Sequence, residues 1–236
     1  MTWVKDFLER LDSTTSLDGV QNLVVELRNR LGVEHAIYHI VGGTGREYGA
    51  LTYDPDWVQH YIDSQYFRID PVVNAAFHSH RPIDWKTLNW RQPAARRLIR
   101  EAVDEGVGKQ GYTVPIRGVD GQFALFSVTS YDSESAWDRF GAEHLHHLVL
   151  CGHYIHQRAA EIMAPDPAHR AADLSARERD VLTLLSLGHS RGEAAQRLRI
   201  SEHTFRAYLD TARLKLNAAN TVQAVASAVT RGLILP

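Results

Sequence analysis

The segment Ala164-Pro-Asp-Pro-Ala-His-Arg-Ala-Ala-Asp173, with two prolines among small residues, interrupts the chain directly after a long helical pattern. Such a segment has no apolar stripe to bury and cannot continue a helix, so it reads as a linker. Two domains are therefore expected, over 1–163 and 174–236, joined through 164–173. A chain of 236 residues with 44% hydrophobic and 23% charged residues suits two modest globular units.

The front part alternates helical and extended patterns. Helical periodicity covers Trp3 to Leu11 and Leu17 to Leu31, and the stretches His35 to Val41 and Glu47 to Thr52 look extended around a Gly-Gly-Thr-Gly turn. Asp54-Pro55 and Asp70-Pro71 each predict a helix start, because aspartate caps free backbone N–H groups and proline suits the first helical position. A further helix is expected from Pro93 to Glu105, followed by a hairpin of Gly111 to Arg117 with Gln122 to Ser130 across Val119-Asp120-Gly121. From Ala136 to Ile162 one stripe carries Trp137, Phe140, His144, Leu148, Cys151, Ile155 and Ile162, which must be covered by the sheet or by a second subunit. The pattern predicts an α+β fold.

Beyond the linker lie four short helical patterns, Ala176 to Leu187, Arg191 to Leu198, Glu202 to Leu216 and Thr221 to Arg231. Ser175 with Glu178 makes a capping box, Gly188 can close the first helix in a left-handed conformation, and Ser201 caps the third. In that third helix Phe205, Leu209, Ala212 and Leu216 form one stripe, while His203, Arg206, Ala207 and Asp210 lie opposite. A polar face opposite a packed one is what a recognition helix offers the major groove. Between Asp173 and Pro236 there are nine Lys/Arg against six Asp/Glu, whereas the rest has seventeen against twenty-two. This end suits a polyanion better, by a small margin.

Leu174-Ser-x-Arg-Glu178, Val181-Leu182, Gly188-x-Ser190, Glu193-x-Ala195, Leu198-x-Ile-Ser201, Thr204-Phe205, Lys215-Leu216-Asn217 and Gln223-Ala-Val-Ala226 together resemble the LuxR-type helix-turn-helix. The resemblance implies a four-helix DNA-binding domain in which Glu178, Leu182 and Gly188 are structural. It makes His203, Thr204, Arg206 and Asp210 the groove-facing candidates, with Arg206 the leading base reader because arginine can bond guanine O6 and N7 together. Arg199, Arg213 and Lys215 are expected on phosphates. Asp210 departs from the polar or basic residue often found at its position.

Tyr53-Asp-Pro-Asp-Trp57-Val-Gln-His-Tyr61, Asp70-Pro71-Val72, Pro82-Ile-Asp-Trp85 and the later Gly111 resemble the autoinducer-binding domain of LuxR-type quorum-sensing receptors. The resemblance implies an α/β/α sandwich with an antiparallel sheet, binding an N-acyl-homoserine lactone. Such a ligand presents a lactone carbonyl, an amide N–H, an amide carbonyl and an apolar tail, and each polar atom needs a partner once buried. By resemblance, the Trp57 indole donates to the lactone carbonyl, Asp70 accepts from the amide N–H, Tyr61 donates to the amide carbonyl, and Trp85 packs on the lactone ring, with Gly111 structural. Tyr53 and Ser127 are further polar candidates. Tyr38, Ile40, Leu51, Tyr66, Val72, Val73, Thr113 and Leu125 are expected around the tail.

The resemblance further implies a homodimer on a palindromic promoter site, with RNA polymerase as a partner. The alternative is the same architecture serving as a solo regulator of a different small molecule, or of none. The sequence has no Gly-x-Ser-x-Gly elbow for a hydrolase, so a non-enzymatic protein without cofactor is expected. His144, His147 and Cys151 have helical spacing but no fourth ligand nearby, so core packing is expected of them rather than metal. No run of about 18 apolar residues and no signal-like start occurs, so a cytoplasmic protein is expected.

Overall fold

The computed structural model describes residues 2–41, 48–118, 121–164 and 174–235. The chain divides into two compact units, the first of Met1–Gly118 with Gln122–Ala164 and the second of Val119–Gly121 with Pro165–Pro236. The Gly-Gly-Thr-Gly turn, Val119-Asp120 and all but the first residue of the expected linker lie outside the described residues.

The first unit is built on a five-stranded antiparallel sheet. Its strands are β1 (His35–Ile40), β2 (Gly49–Ala50), β3 (Ile83–Asp84), β4 (Gln110–Arg117) and β5 (Phe123–Ser130), in the order β2-β1-β5-β4-β3. The central β4–β5 hairpin pairs Gln110 with Ser130 through Arg117 with Phe123. Because side chains alternate across a strand, each of β1, β4 and β5 serves two cores. Ala36, Tyr38, Val114, Ala124, Phe126 and Val128 pack against α1 (Thr2–Ser13), α2 (Leu17–Leu31) and α6 (Glu134–Met163). Phe123, Leu125 and Ile83 face the other way, toward α4 (Pro71–Phe77) and its neighbours α3 (Pro55–Asp63) and α5 (Pro93–Asp104). The result is the expected α/β/α sandwich.

Both Asp-Pro pairs start helices: Asp54 accepts the N–H of Asp56 at 2.8 Å and Asp70 that of Val72 at 2.7 Å. The α6 stripe is covered by the unit's own sheet, with Trp137, Leu148, Cys151 and Ile155 buried there. Its opposite face leaves Leu150 and Tyr154 exposed, one turn apart.

The second unit consists of α7 (Ala176–Ser186), α8 (Arg191–Leu198), α9 (Glu202–Lys215) and α10 (Thr221–Thr230) around a core that includes Val181, Leu182, Ala195, Phe205, Leu209 and Ala224. Ser175–Glu178 and Ser190–Glu193 both form capping boxes. Gly188 follows α7 at φ +87°, a conformation that costs a residue with a Cβ. Among the described residues no helix is long and apolar enough to cross a membrane.

Candidate functional site

A cavity of about 760 Å³ lies between the sheet and α3–α5. Of the residues picked from the sequence, Ile40, Leu51, Tyr53, Trp57, Tyr61, Asp70, Val72, Val73, Trp85, Leu125 and Ser127 line it. Three others do not. Tyr38 points to the helix side, where its hydroxyl meets His156 Nδ1 at 2.9 Å, because the alternation of β1 sends Ile37 and His39 to the cavity instead. Tyr66 is buried beside Trp57 and donates its hydroxyl to Glu101. Thr113 lies beneath the wall and acts on Trp85 rather than on the cavity.

Asp70 organises the polar end. Its cap role fixes the carboxylate at the start of α4, where Oδ1 accepts from Val72 N–H and Oδ2 accepts the Tyr61 hydroxyl at 2.8 Å. Burial pushes the Asp70 carboxyl above the usual carboxylate range, against the lowering effect of Tyr61 and the N–H groups of Val72 and Val73. Burial, reinforced by the Asp70 charge, likewise holds the Tyr61 and Tyr53 hydroxyls well above the usual phenol range, so both remain protonated donors.

The tryptophans divide the remaining work. Trp57 is buried in the wall, and its indole N–H has no hydrogen-bond partner among the described residues. Trp85 donates Nε1 to Thr113 Oγ1 at 2.8 Å, and Thr113 in turn meets Ser127 Oγ at 2.8 Å. Its ring lies over Gly111, where a Cβ would stand only 2.5 Å from the indole, so any side chain there would displace it. Two hydroxyls and a glycine thus fix one aromatic plate.

The sequence reading missed His39, Ile62, Phe67, Phe77 and Trp90, which also line the cavity. His39 was signalled by alternation from Ile37. The others come from helix faces and turns whose orientation only the fold decides.

In the second unit, His203 and Arg206 are exposed on α9, Thr204 is partly buried with its hydroxyl 2.8 Å from Ser201 Oγ, and Asp210 is exposed. Two of the expected phosphate contacts are otherwise engaged. Lys215 Nζ lies 2.8 Å from Glu178 Oε2, and Glu178 is almost fully buried, so this lysine ties α9 to the start of α7. Burial would raise the Glu178 carboxyl, but Lys215 and the Ser175 N–H outweigh it and hold the pKa below the usual range. Arg213 donates to the Ala219 carbonyl at 2.7 Å and pairs with Asp210 at 3.2 Å. Arg199 ends α8 in a left-handed conformation at φ 55°, exposed at the turn before α9.

A molecule so built separates the sensing of a small molecule from the reading of DNA, the division of labour of a ligand-responsive transcriptional regulator. Comparison with known families agrees: residues 16–159 match the autoinducer binding domain, and residues 172–228 match the bacterial regulatory proteins of the luxR family. The chain belongs to the luxR family of transcriptional regulators, in the branch that carries an autoinducer-binding domain. It is 36% identical to the transcriptional activator protein RaiR of Rhizobium etli over 171 residues, 72% of this chain and 71% of RaiR. It is 28% identical to the quorum sensing-dependent transcriptional regulator RpaR of Rhodopseudomonas palustris, over 97% of this chain and 92% of RpaR. The crystal structure of Escherichia coli SdiA shares the fold, with a TM-score of 0.70 at 21% identity, covering 100% of this chain and 99% of SdiA.

Proposed function

We propose that the cavity binds an N-acyl-homoserine lactone and that binding switches the chain, as a homodimer, onto a palindromic promoter site. The observation that carries this reading is the buried Asp70 carboxylate with Tyr61 and Trp57 in one cavity wall. Asp70 keeps free acceptor capacity for the ligand's amide N–H, since an ionised carboxylate can accept about four hydrogen bonds. The Trp57 indole donates to the lactone carbonyl, Trp85 covers the lactone ring, and the Tyr61 hydroxyl swings from Asp70 to the amide carbonyl. Tyr53 and Ser127 bound the same polar end, and Val72, Val73, Leu51, Ile40 and Leu125 enclose the tail.

The exposed Leu150 and Tyr154 face of α6 supports pairing of two sensor units. In the DNA-binding domain, His203, Thr204 and Arg206 face the groove, with Arg206 reading a guanine. Two recognition helices in successive major grooves require half-sites about 34–36 Å apart. A promoter-bound dimer of this kind meets RNA polymerase.

Titration of a broad lactone panel into the full chain, followed by melting temperature, tests the reading. A signal at about 100 times Kd is expected to add about 2.7 kcal/mol of stability. Asp70→Ala should lower ligand affinity by about 1.5–3 kcal/mol while leaving the fold. Arg206→Ala should leave ligand binding alone and weaken specific DNA binding by about 1–3 kcal/mol. A panel without any thermal response would reject the lactone, and unchanged operator affinity in Arg206→Ala would reject the base-reading assignment.

A further inference from the structure

The cavity has a long axis that two elements define independently. Along α4, Asp70 caps the helix and the cavity-lining residues Val73 and Phe77 follow, so Phe77 stands about 10 Å beyond the carboxylate. Along β5, Ser127 meets the Trp85–Thr113 pair, Leu125 comes next, and Phe123 packs its ring 4.5 Å from that of Phe77. One end is therefore polar and the other apolar. On β1, Ile37 stands opposite Ser127 and His39 opposite Leu125. The His39 imidazole accordingly enters the wall two residues, or about 7 Å, beyond the polar end, at the level of Leu125.

His39 lines the cavity and is only partly buried. It makes no hydrogen bond to any described residue. Burial pulls its pKa down to about 4, so near neutral pH the ring is uncharged, with one nitrogen donating and the other accepting. A plain alkyl tail lying against it would remove water without replacing the lost hydrogen bonds, which is costly for a polar group.

We infer that His39 is a specificity residue for the tail of the signal, pairing with an oxo or hydroxyl oxygen carried part-way along the acyl chain. The protein would therefore prefer oxygen-substituted acyl-homoserine lactones to unsubstituted ones of equal length. This inference rests on the lactone reading above. The neutral imidazole accommodates either substituent, donating to an oxo group or accepting from a hydroxyl.

The test compares octanoyl-homoserine lactone with forms carrying an oxo or hydroxyl group at each tail carbon in turn, by calorimetry on the full chain. Wild type should bind at least one oxygenated form about 3- to 10-fold more tightly than the plain lactone. His39→Leu should lose or invert that ratio, and His39→Asn, which keeps a donor and an acceptor, should retain part of it. If lactones bind but the ratio is the same in wild type and His39→Leu, the inference is overturned while the lactone reading stands. Binding of no lactone by any of the three would overturn both. Should His39→Leu fail to fold, the wild-type ratio alone decides, and equal affinity for plain and oxygenated tails overturns the inference.

Discussion

On its helix side the sheet of the front domain is sealed by α1, α2 and α6, whereas on the other side α3, α4 and α5 stand around a cavity of about 760 Å³. The DNA-binding domain instead closes its small core on itself, with Phe205, Leu182 and Val181 fully buried between helices. Atoms that line a void lack contact partners on one side, so a core of the first kind is incomplete until something fills it. The contrast assigns the two roles: the domain with an unfilled core responds to a ligand, and the domain with a filled one is carried as a finished reading head.

The sharpest way to break this contrast is to open the second core. Phe205→Ala removes the largest fully buried side chain of the DNA-binding domain and should destabilise that domain by about 3–5 kcal/mol. Hydrogen exchange should show protection lost over α7–α10, with the ligand-induced rise in front-domain protection intact. Loss of the ligand response in the same variant would show that the two cores are energetically one, and the division of roles would fall.

A smaller effect separates structure from recognition within the DNA-binding domain. Lys215→Met leaves the buried Glu178 carboxylate without its ammonium partner, and breaking a buried pair costs about 3–5 kcal/mol. The lysine side chain is 25% exposed, so water relieves part of this and about 2 kcal/mol is expected. The sequence points Lys215 to a DNA phosphate, and if that contact existed Lys215→Met would instead make the salt dependence of DNA binding shallower by about one counterion. A lower melting temperature with an unchanged salt slope supports the ion pair; an unchanged melting temperature with a shallower slope restores the phosphate contact.

The Lys215–Glu178 pair shows where the sequence is legible and where it is not. Periodicity and capping are local, so α6, α9, both Asp-Pro helix starts and the β4–β5 hairpin can be read directly, as can the polar cluster at Asp70, Tyr61 and Trp57, which falls in one short stretch. Strand parity is less secure, since a shift of one residue exchanges the faces: the sequence points Tyr38 to the cavity, and the fold places His39 there instead. Partners distant in sequence are hidden altogether. Nothing near Thr113 announces that it holds Trp85, and nothing near Lys215 points 37 residues back to Glu178.

Acid gives the smallest effect and the most direct comparison of the two domains. His39 has a folded pKa of about 4 against an ordinary 6.5, so between these values the unfolded chain binds more protons and stability falls with pH. The loss amounts to about 1 kcal/mol between about pH 7 and about pH 5.5. His147 and His156, also lowered by burial, act in the same direction. Asp70 acts in the opposite direction, because its raised pKa makes the folded form the better proton binder as pH falls toward the ordinary carboxylate value. In the DNA-binding domain the lowered pKa of Glu178 supplies stability that is present above about pH 4.5 and is lost only below it. Mild acid should therefore soften the front domain of the ligand-free chain while leaving the DNA-binding domain unchanged, as read by domain-resolved hydrogen exchange. His39→Leu should flatten the front-domain slope by about 1 kcal/mol over that interval. Superimposable slopes for wild type and His39→Leu would mean that the imidazole is already solvated, and the front domain would no longer differ from its partner domain in this respect.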